Sequence, residues 1–154
     1  MTGTPAGIVR RVLSDPTNPA VVTELVAEDS VYVSLNYSGD DLKKIMPWAG
    51  TGHGRDALRK TFSDVARYGQ IEEFELGDVF GDDPGKVAVF GRTKYRSTVL
   101  GKTIISPFAV YAKVADGKII YAQFMEDSFA TARSFRPGGT WRINSDPDGR
   151  AIEV

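Results

Sequence analysis

The chain has 154 residues, with 19 basic and 20 acidic side chains, one histidine and no cysteine. This length is typical of a single domain, and the balanced charge leaves no basic stripe for a nucleic-acid or acidic-membrane partner. The lack of cysteine excludes thiolate chemistry, disulfides and Cys/His zinc sites, so we expect no metal. No apolar run reaches membrane-spanning length, and we expect a cytoplasmic protein.

The first part of the chain is predicted to contain three helices, which cover 5–13, about 19–27 and about 55–67. Thr4 and Asn18 are typical N-cap residues, and each is followed by a proline at the first helical position. Val31–Tyr37 is rich in β-forming residues and is predicted as a strand. The glycine-rich segment 48–54 is predicted as a loop that leads into the third helix.

From residue 71 onward the pattern predicts an antiparallel meander, with strands over 71–80, 86–98, 103–114 and 118–126. Turn residues separate these strands, and Asp116-Gly117 is a strong hairpin signal. Pro107 predicts a bulge or a sheet edge at its position, because proline cannot donate to a strand ladder. A short helix over 128–135 follows the last strand.

Helices followed by a meander indicate an α+β fold. One layer of helices covers one face of a sheet, so we expect the second face to bind another copy of the chain as a homodimer. The residues expected to make that second face apolar are Val89, Tyr95, Tyr111 and Phe124. We predict one domain over residues 1–136, followed by a tail over 137–154 with the pattern of a small extra hairpin.

The last strand ends in two acids, Glu126 and Asp127. The alternation of side chains along a strand places Asp127 on the side of Tyr121, Gln123 and Met125, and Glu126 on the other side. A carboxylate that closes an apolar strand is costly to bury without a partner, and such positions often have a chemical role. The sequence therefore predicts a pocket that contains a carboxylate.

Three segments resemble the NTF2-like superfamily, and more narrowly its SnoaL-like, ketosteroid-isomerase-related branch. They are the N-terminal helix pair, Trp48-Ala49-Gly50 before Gly54–Leu58, and the ending from Asp116-Gly117 to Asp127-Ser128. The resemblance covers about residues 5–136. It implies a cone of helices packed on a curved antiparallel sheet, in a fold that serves isomerases, cyclases, hydrolases and simple binding modules.

The resemblance also allows three known activities of the superfamily to be compared with the residues of this chain. The ketosteroid isomerase pattern is not present in its usual form, since the first strand ends without an acid and 103–114 contains no Asp. Relatives of limonene epoxide hydrolase would use the positions of Arg92 and Asp127, but Lys94 occupies the place of their other acid. SnoaL-type cyclases rely on an acid at the position of Asp127. We therefore select Asp127 and Arg92 as the candidate catalytic residues.

Each candidate has a structural alternative. Asp127 could cap the last helix by accepting from the amides of Phe129 or Ala130, and Arg92 could pair with Asp127 across the sheet. His53 is either a titratable group at the pocket mouth or a turn residue. Trp48 is expected to gate the cavity. The remaining candidates for substrate binding are Tyr32, Phe62, Tyr121, Gln123 and Met125.

Two functions follow from this reading. The chain is either a cofactor-free isomerase, cyclase or hydrolase that acts on a small apolar molecule, or a non-catalytic module that binds a ligand or mediates assembly. In the first case Asp127 would transfer a proton or orient water, and Arg92 would stabilise developing negative charge.

Overall fold

The computed structural model describes residues 3–38 and 40–154, and it forms an α+β fold with a curved six-stranded sheet. The helices of these residues are α1 Pro5–Ser14, α2 Pro19–Leu25, α3 Leu42–Ile45, α4 Asp56–Tyr68 and α5 Ser128–Ser134. The strands are β1 Val26–Ser34, β2 Gly50–His53, β3 Gly69–Gly81, β4 Lys86–Ser97, β5 Thr103–Ala115, β6 Lys118–Glu126, β7 Arg142–Ile143 and β8 Ile152–Glu153. The start of the predicted domain at residue 1 lies outside the described residues.

The sheet is mixed, so the prediction of a purely antiparallel sheet is wrong. Its strand order is β2-β1-β6-β5-β4-β3, and β1 pairs in parallel with β6 while the other neighbours are antiparallel. The chain reaches β6 only after α4 and the β3–β5 meander, so β1 and β6 are joined by a long crossover. Parallel neighbours need such a connection, which a local sequence pattern does not reveal.

The start of the chain also differs from the prediction in three places. The second helix ends at Leu25, because Val26 already begins β1. The segment predicted as a loop contains β2, which pairs antiparallel with β1 from Val31 opposite His53 to Ser34 opposite Gly50. One turn of helix, α3, precedes β2, so four helices rather than three come before the meander in the described chain.

Several local signals are confirmed. The Thr4 side chain accepts a hydrogen bond from the amide of Gly7, and Asn18 accepts from the amides of Ala20 and Val21, so both residues cap their helices. Asp116 and Gly117 have positive φ angles of 51° and 73° and connect β5 to β6 in a two-residue hairpin. Pro107 lies within β5 opposite Arg92, at a point where β6 has already ended.

The helices pack on one face of the sheet, which we call the covered face; the opposite one is the open face. Val89, Tyr95 and Phe124 are buried on the covered face, so the expectation that they make the open face apolar is wrong. Tyr111 does lie on the open face, as the alternation along β5 shows. The large exposed apolar residues of the open face are Phe80, Phe90, Ile105 and Met125.

The tail folds back against the end of the domain. Strands β7 and β8 pair antiparallel, and the Trp141 ring lies 5.5 Å from that of Phe129 on α5 and 4.8 Å from the Arg136 guanidinium. In the part of the chain that the structure describes, no helix has the length and apolarity needed to span a membrane.

Candidate functional site

A narrow cavity of about 40 Å³ lies between the covered face and α4, with Trp48 at its side. Its lining residues are Tyr32, Ser34, Trp48, Phe62, Val65, Ile71, Phe74, Thr93, Tyr95, Phe124 and Glu126. They come from β1, β3, β4, β6, α4 and the segment before β2. Glu126 is the one charged residue among these lining residues. The cavity is therefore an apolar space with a single carboxyl group.

Glu126 reaches the cavity because it is the last residue of β6 and alternates with Ala122 and Phe124, which face the core. Burial raises the pKa of this carboxyl from 4.5 to about 7, and the negative charge of Asp127 acts in the same direction. The neighbouring Thr131 hydroxyl opposes the shift in pKa. A carboxyl group with this pKa exchanges its proton readily near neutral pH.

Two tyrosines with buried rings share the cavity with Glu126. Burial raises the pKa of both phenols, Tyr32 and Tyr95, well above the usual range, and the nearby Glu126 charge adds to the increase. Both hydroxyls therefore keep their protons at neutral pH. The two tyrosines can donate hydrogen bonds but cannot act as bases.

Aromatic rings form most of the remaining wall. The Phe62 ring centre lies 6.3 Å from that of Phe74 and 6.0 Å from that of Phe124, and the Phe74 and Phe108 rings stack at 4.7 Å. Phe62 and Phe74 also line an outer cleft of about 500 Å³ beside the α1–α2 corner. The two rings thus separate the inner cavity from a larger space open to solvent.

Asp127 does not line the cavity. Its side chain is exposed, and its carboxylate accepts a hydrogen bond from the amide of Ala130 at 3.0 Å, so Asp127 is the N-cap of α5. Its own amide donates a hydrogen bond to Ser106 Oγ at 2.9 Å. Of the two roles considered for Asp127, the geometry matches the helix cap.

Arg92 lies on the open face, on the opposite side of the sheet from the cavity. Its guanidinium pairs with Glu73 at 2.6 Å and with Glu75 at 3.1 Å, both on the neighbouring strand β3. The expected pair between Arg92 and Asp127 is therefore wrong. Lys94 also pairs with acids of β3, and its Nζ lies 3.6 Å from a carboxylate oxygen of Glu72 and 3.8 Å from one of Glu73.

The other candidate residues divide between the cavity and the surface. Trp48, Tyr32 and Phe62 line the cavity. Tyr121, Gln123 and Met125 lie on the open face, where the Tyr121 hydroxyl donates to Gln123 Oε1 at 3.2 Å. His53 is exposed on the edge strand β2. Among residues 3–38 and 40–154, no three His, Asp or Glu side chains are grouped as metal ligands.

Glu126 and Tyr95 are the ionisable lining residues that the sequence analysis did not select. The signal for Glu126 was present, because its side of β6 carries Ala122 and Phe124 while the other side carries Tyr121 and Gln123. The more apolar side is the one that a helical layer covers. Tyr95 carried no comparable signal, since its role depends on the neighbouring Glu126 and α5.

Two curated proteins are similar to this chain over most of its length; no family model matches it. Patulin synthesis protein F of Aspergillus clavatus is 40% identical over 136 residues, which cover 85% of this chain and 68% of that protein. Patulin biosynthesis cluster protein F of Penicillium expansum is 37% identical over 152 residues, covering 95% of this chain and 76% of that protein.

Solved structures share the fold. An NTF2-like protein from Burkholderia thailandensis superposes with a TM-score of 0.71 at 22% identity, covering 87% of this chain and 98% of that one. A protein from Jannaschia, named for the SnoaL-like polyketide cyclases, has a TM-score of 0.67 at 15% identity, covering 88% of this chain and 93% of that one. These superpositions confirm the predicted NTF2-like fold.

Proposed function

We propose that this chain, which belongs to the family of the two patulin proteins F and has the NTF2-like fold, is a small-molecule enzyme of biosynthesis. In this proposal it binds a small, largely apolar molecule in the cavity, and Glu126 moves a proton on it without a cofactor. The observation that carries the proposal is a carboxyl group with a pKa of about 7 in an apolar cavity. The names of the two relatives support a biosynthetic role.

The chemistry follows from the environment of Glu126. A general acid or base works best when its pKa lies near the working pH, because both protonation states are then populated. In its charged form Glu126 can accept a proton from a carbon or oxygen atom of the ligand. The protonated carboxyl can then return that proton to a second atom of the same molecule. The net result is an isomerisation, in which no atom is gained or lost.

The remaining lining supports this step by keeping water out. Phe62, Phe74 and Phe124 offer apolar contacts to the carbon skeleton of a ligand, and the two tyrosines offer donors for its oxygen atoms. In a cavity of this polarity an electrostatic interaction with the ligand is stronger than in water. Ligands of more than a few atoms would require the Phe62 and Phe74 rings to move towards the outer cleft.

A proton-exchange assay tests the proposal directly. Cyclopentanone is dissolved in D₂O, and NMR follows the replacement of the hydrogens next to its carbonyl group by deuterium. We expect the wild-type chain to accelerate this exchange and Glu126→Gln to lose the acceleration by about 10²- to 10⁴-fold. Asp127→Asn is the matched control, because it changes the adjacent acid but leaves Glu126 in place, and we expect it to retain catalysed exchange.

The assay separates catalysis from binding. Equal exchange by the wild type and Glu126→Gln would refute the acid–base role of Glu126. Saturable binding of cyclopentanone without any catalysed exchange would favour the second function considered above, a ligand-binding module that does not catalyse. In that case the cavity would still be the ligand site.

We also propose that a second copy of the chain covers the open face of the sheet. Phe80, Phe90, Ile105 and Met125 are exposed there, and the helices of the described chain lie on the opposite face. The ion pairs of Arg92 lie beside this apolar region, as polar residues do at the rim of an interface. Sedimentation velocity over a range of concentrations would test for the homodimer.

A further inference from the structure

The hydroxyl group of Tyr95 is buried without a hydrogen-bond partner in the described part of the chain. The residue is only 5% exposed, and Tyr95 Oη makes no hydrogen bond with any described residue. A buried polar group that loses water without gaining a partner destabilises the fold, and most such groups in native proteins are paired. Because Tyr95 lines the cavity, its unpaired hydroxyl suggests that a bound ligand supplies the partner.

The polar neighbours of the Tyr95 hydroxyl are two hydroxyl groups of α5. Thr131 and Ser134 of α5 lie close enough to counteract part of the increase in its pKa. Their own protons go elsewhere, from Thr131 Oγ1 to the Asp127 carbonyl at 3.2 Å and from Ser134 Oγ to the Thr131 carbonyl at 2.7 Å. Both hydroxyls lie beside Tyr95 Oη and affect its pKa, but neither forms a hydrogen bond of normal geometry with it.

The backbone holds the Tyr95 ring in this position. Gly69 begins β3 beside the ring, and a Cβ atom at residue 69 would lie 2.8 Å from Tyr95 Cδ2. Only a glycine leaves room for the ring at this distance. Tyr95 also pairs with Ile71 of β3 on one side and with Ile104 of β5 on the other, so its backbone is held between two strands. The hydroxyl is preorganised rather than free to turn to solvent.

We propose that Tyr95 determines ligand specificity by donating its hydroxyl proton to an oxygen atom of a neutral ligand bound beside Glu126. This inference rests on the proposed function for the location of the ligand, but not on catalysis. The lining offers no cation to an anionic ligand, and Glu126 would repel one. A carbonyl or ether oxygen on a small apolar skeleton matches both the Tyr95 donor and the aromatic wall.

The raised pKa of Tyr95 supports this role, because the phenol remains a donor throughout the neutral range. A hydroxyl that donates one hydrogen bond should distinguish a ligand with an acceptor oxygen from a ligand of the same shape without one. This discrimination depends on one donor and one acceptor atom. It can be measured by comparing the affinities of two ligands that differ only in having a carbon atom in place of the acceptor oxygen.

The test compares cyclopentanone with methylenecyclopentane, which replaces the carbonyl oxygen by a CH₂ group of similar shape. Dissociation constants are measured by ligand-detected NMR for the wild type, Tyr95→Phe and Tyr121→Phe. We expect the wild type to prefer the ketone, and Tyr95→Phe to reduce that preference by roughly three- to tenfold, as for one hydrogen bond. Tyr121→Phe, on the open face, should keep the wild-type preference.

A stability measurement excludes a purely structural explanation. Tyr95→Phe breaks no hydrogen bond within the described residues, so its melting temperature should equal or exceed that of the wild type. An equal loss of affinity for both probes would overturn the inference, because it would indicate changed shape rather than a lost donor. An unchanged preference for the ketone would also overturn it.

The remaining outcomes separate this inference from the proposed function. Tighter binding of trimethylamine than of cyclopentanone would overturn the neutral ligand class, because an aromatic lining with one carboxylate also suits an organic cation. Failure of every probe to bind the wild type would overturn the ligand cavity itself. A ketone preference that depends on Tyr95, without catalysed exchange, would support the inference and refute catalysis.

Discussion

Replacing Glu126 by Gln should stabilise the protein at high pH, although it removes the proposed catalytic group. In the folded chain the carboxyl has a pKa of about 7, against 4.5 for an ordinary glutamate. Between these values the folded state binds more protons than the unfolded state, so the free energy of unfolding must fall as the pH rises. The side-chain amide of the Glu126→Gln variant does not titrate, and its contribution to stability stays constant.

The increase in the pKa of Glu126 determines how much stability the wild type loses as the pH rises. One pKa unit corresponds to about 1.4 kcal/mol, so the full shift corresponds to about 3 kcal/mol above pH 7. Between pH 5 and pH 8 we expect Glu126→Gln to gain about 2 to 3 kcal/mol relative to the wild type. Below pH 4.5 the two proteins should differ little, since Glu126 is then protonated in both the folded and the unfolded state.

Urea denaturation at pH 5, 6, 7 and 8, monitored by tryptophan fluorescence, measures this difference. Other titrating groups contribute equally to both proteins and cancel when the wild type is subtracted at each pH. A difference that stays constant across the range would show that Glu126 titrates normally. It would also refute the reasoning that the apolar cavity raises the pKa of this carboxyl.

Three other substitutions test the description of the fold. Arg92→Ala should leave catalysed proton exchange unchanged and alter the melting temperature little, because exposed ion pairs contribute little to stability. Gly69→Ala should reduce the free energy of unfolding by about 1 to 3 kcal/mol in urea titrations, because the added Cβ would press on the Tyr95 ring. Phe90→Glu should lower the sedimentation coefficient to that of a monomer, while a monomeric wild type would refute the proposed interface.

The fold was largely predictable because its signals are local. N-caps, the Asp116-Gly117 hairpin and alternating strands depend on residues close in sequence, and most predicted elements lie close to their predicted bounds. The parallel pairing of β1 with β6 depends on residues about 90 positions apart, for example Val31 opposite Tyr121. The edge strand β2 forms in a glycine-rich segment because β1 provides a partner, and no pattern within that segment predicts this.

The candidate site was predicted less well, because the choice between the two faces of β6 followed the closing position of Asp127 and not the more apolar side, which carries Glu126. The choice of Asp127 placed Tyr121, Gln123 and Met125 in the pocket, whereas these residues lie on the open face. Trp48, Tyr32 and Phe62 line the cavity because they are large aromatic residues near the core. The position of Tyr95 beside Glu126 depends on the packing of α5 across the end of the sheet.

The two adjacent acids now have different environments and separable effects. Asp127 caps α5 at the surface, and its charge contributes to the raised pKa of Glu126. Asn is as good an N-cap as Asp but carries no charge, whereas Ala provides neither the cap nor the charge. Comparing the two substitutions at position 127 therefore distinguishes the cap from the charge.

We expect Asp127→Asn to lower the pKa of Glu126, measured by ¹³C NMR of the carboxyl carbon, with little change in stability. Asp127→Ala should lower the pKa in the same direction and also destabilise the protein by about 1 kcal/mol through loss of the cap. An unchanged Glu126 pKa in both variants would mean that burial alone sets its value. A lowered pKa in both would mean that the surface cap of α5 also tunes the acid in the cavity.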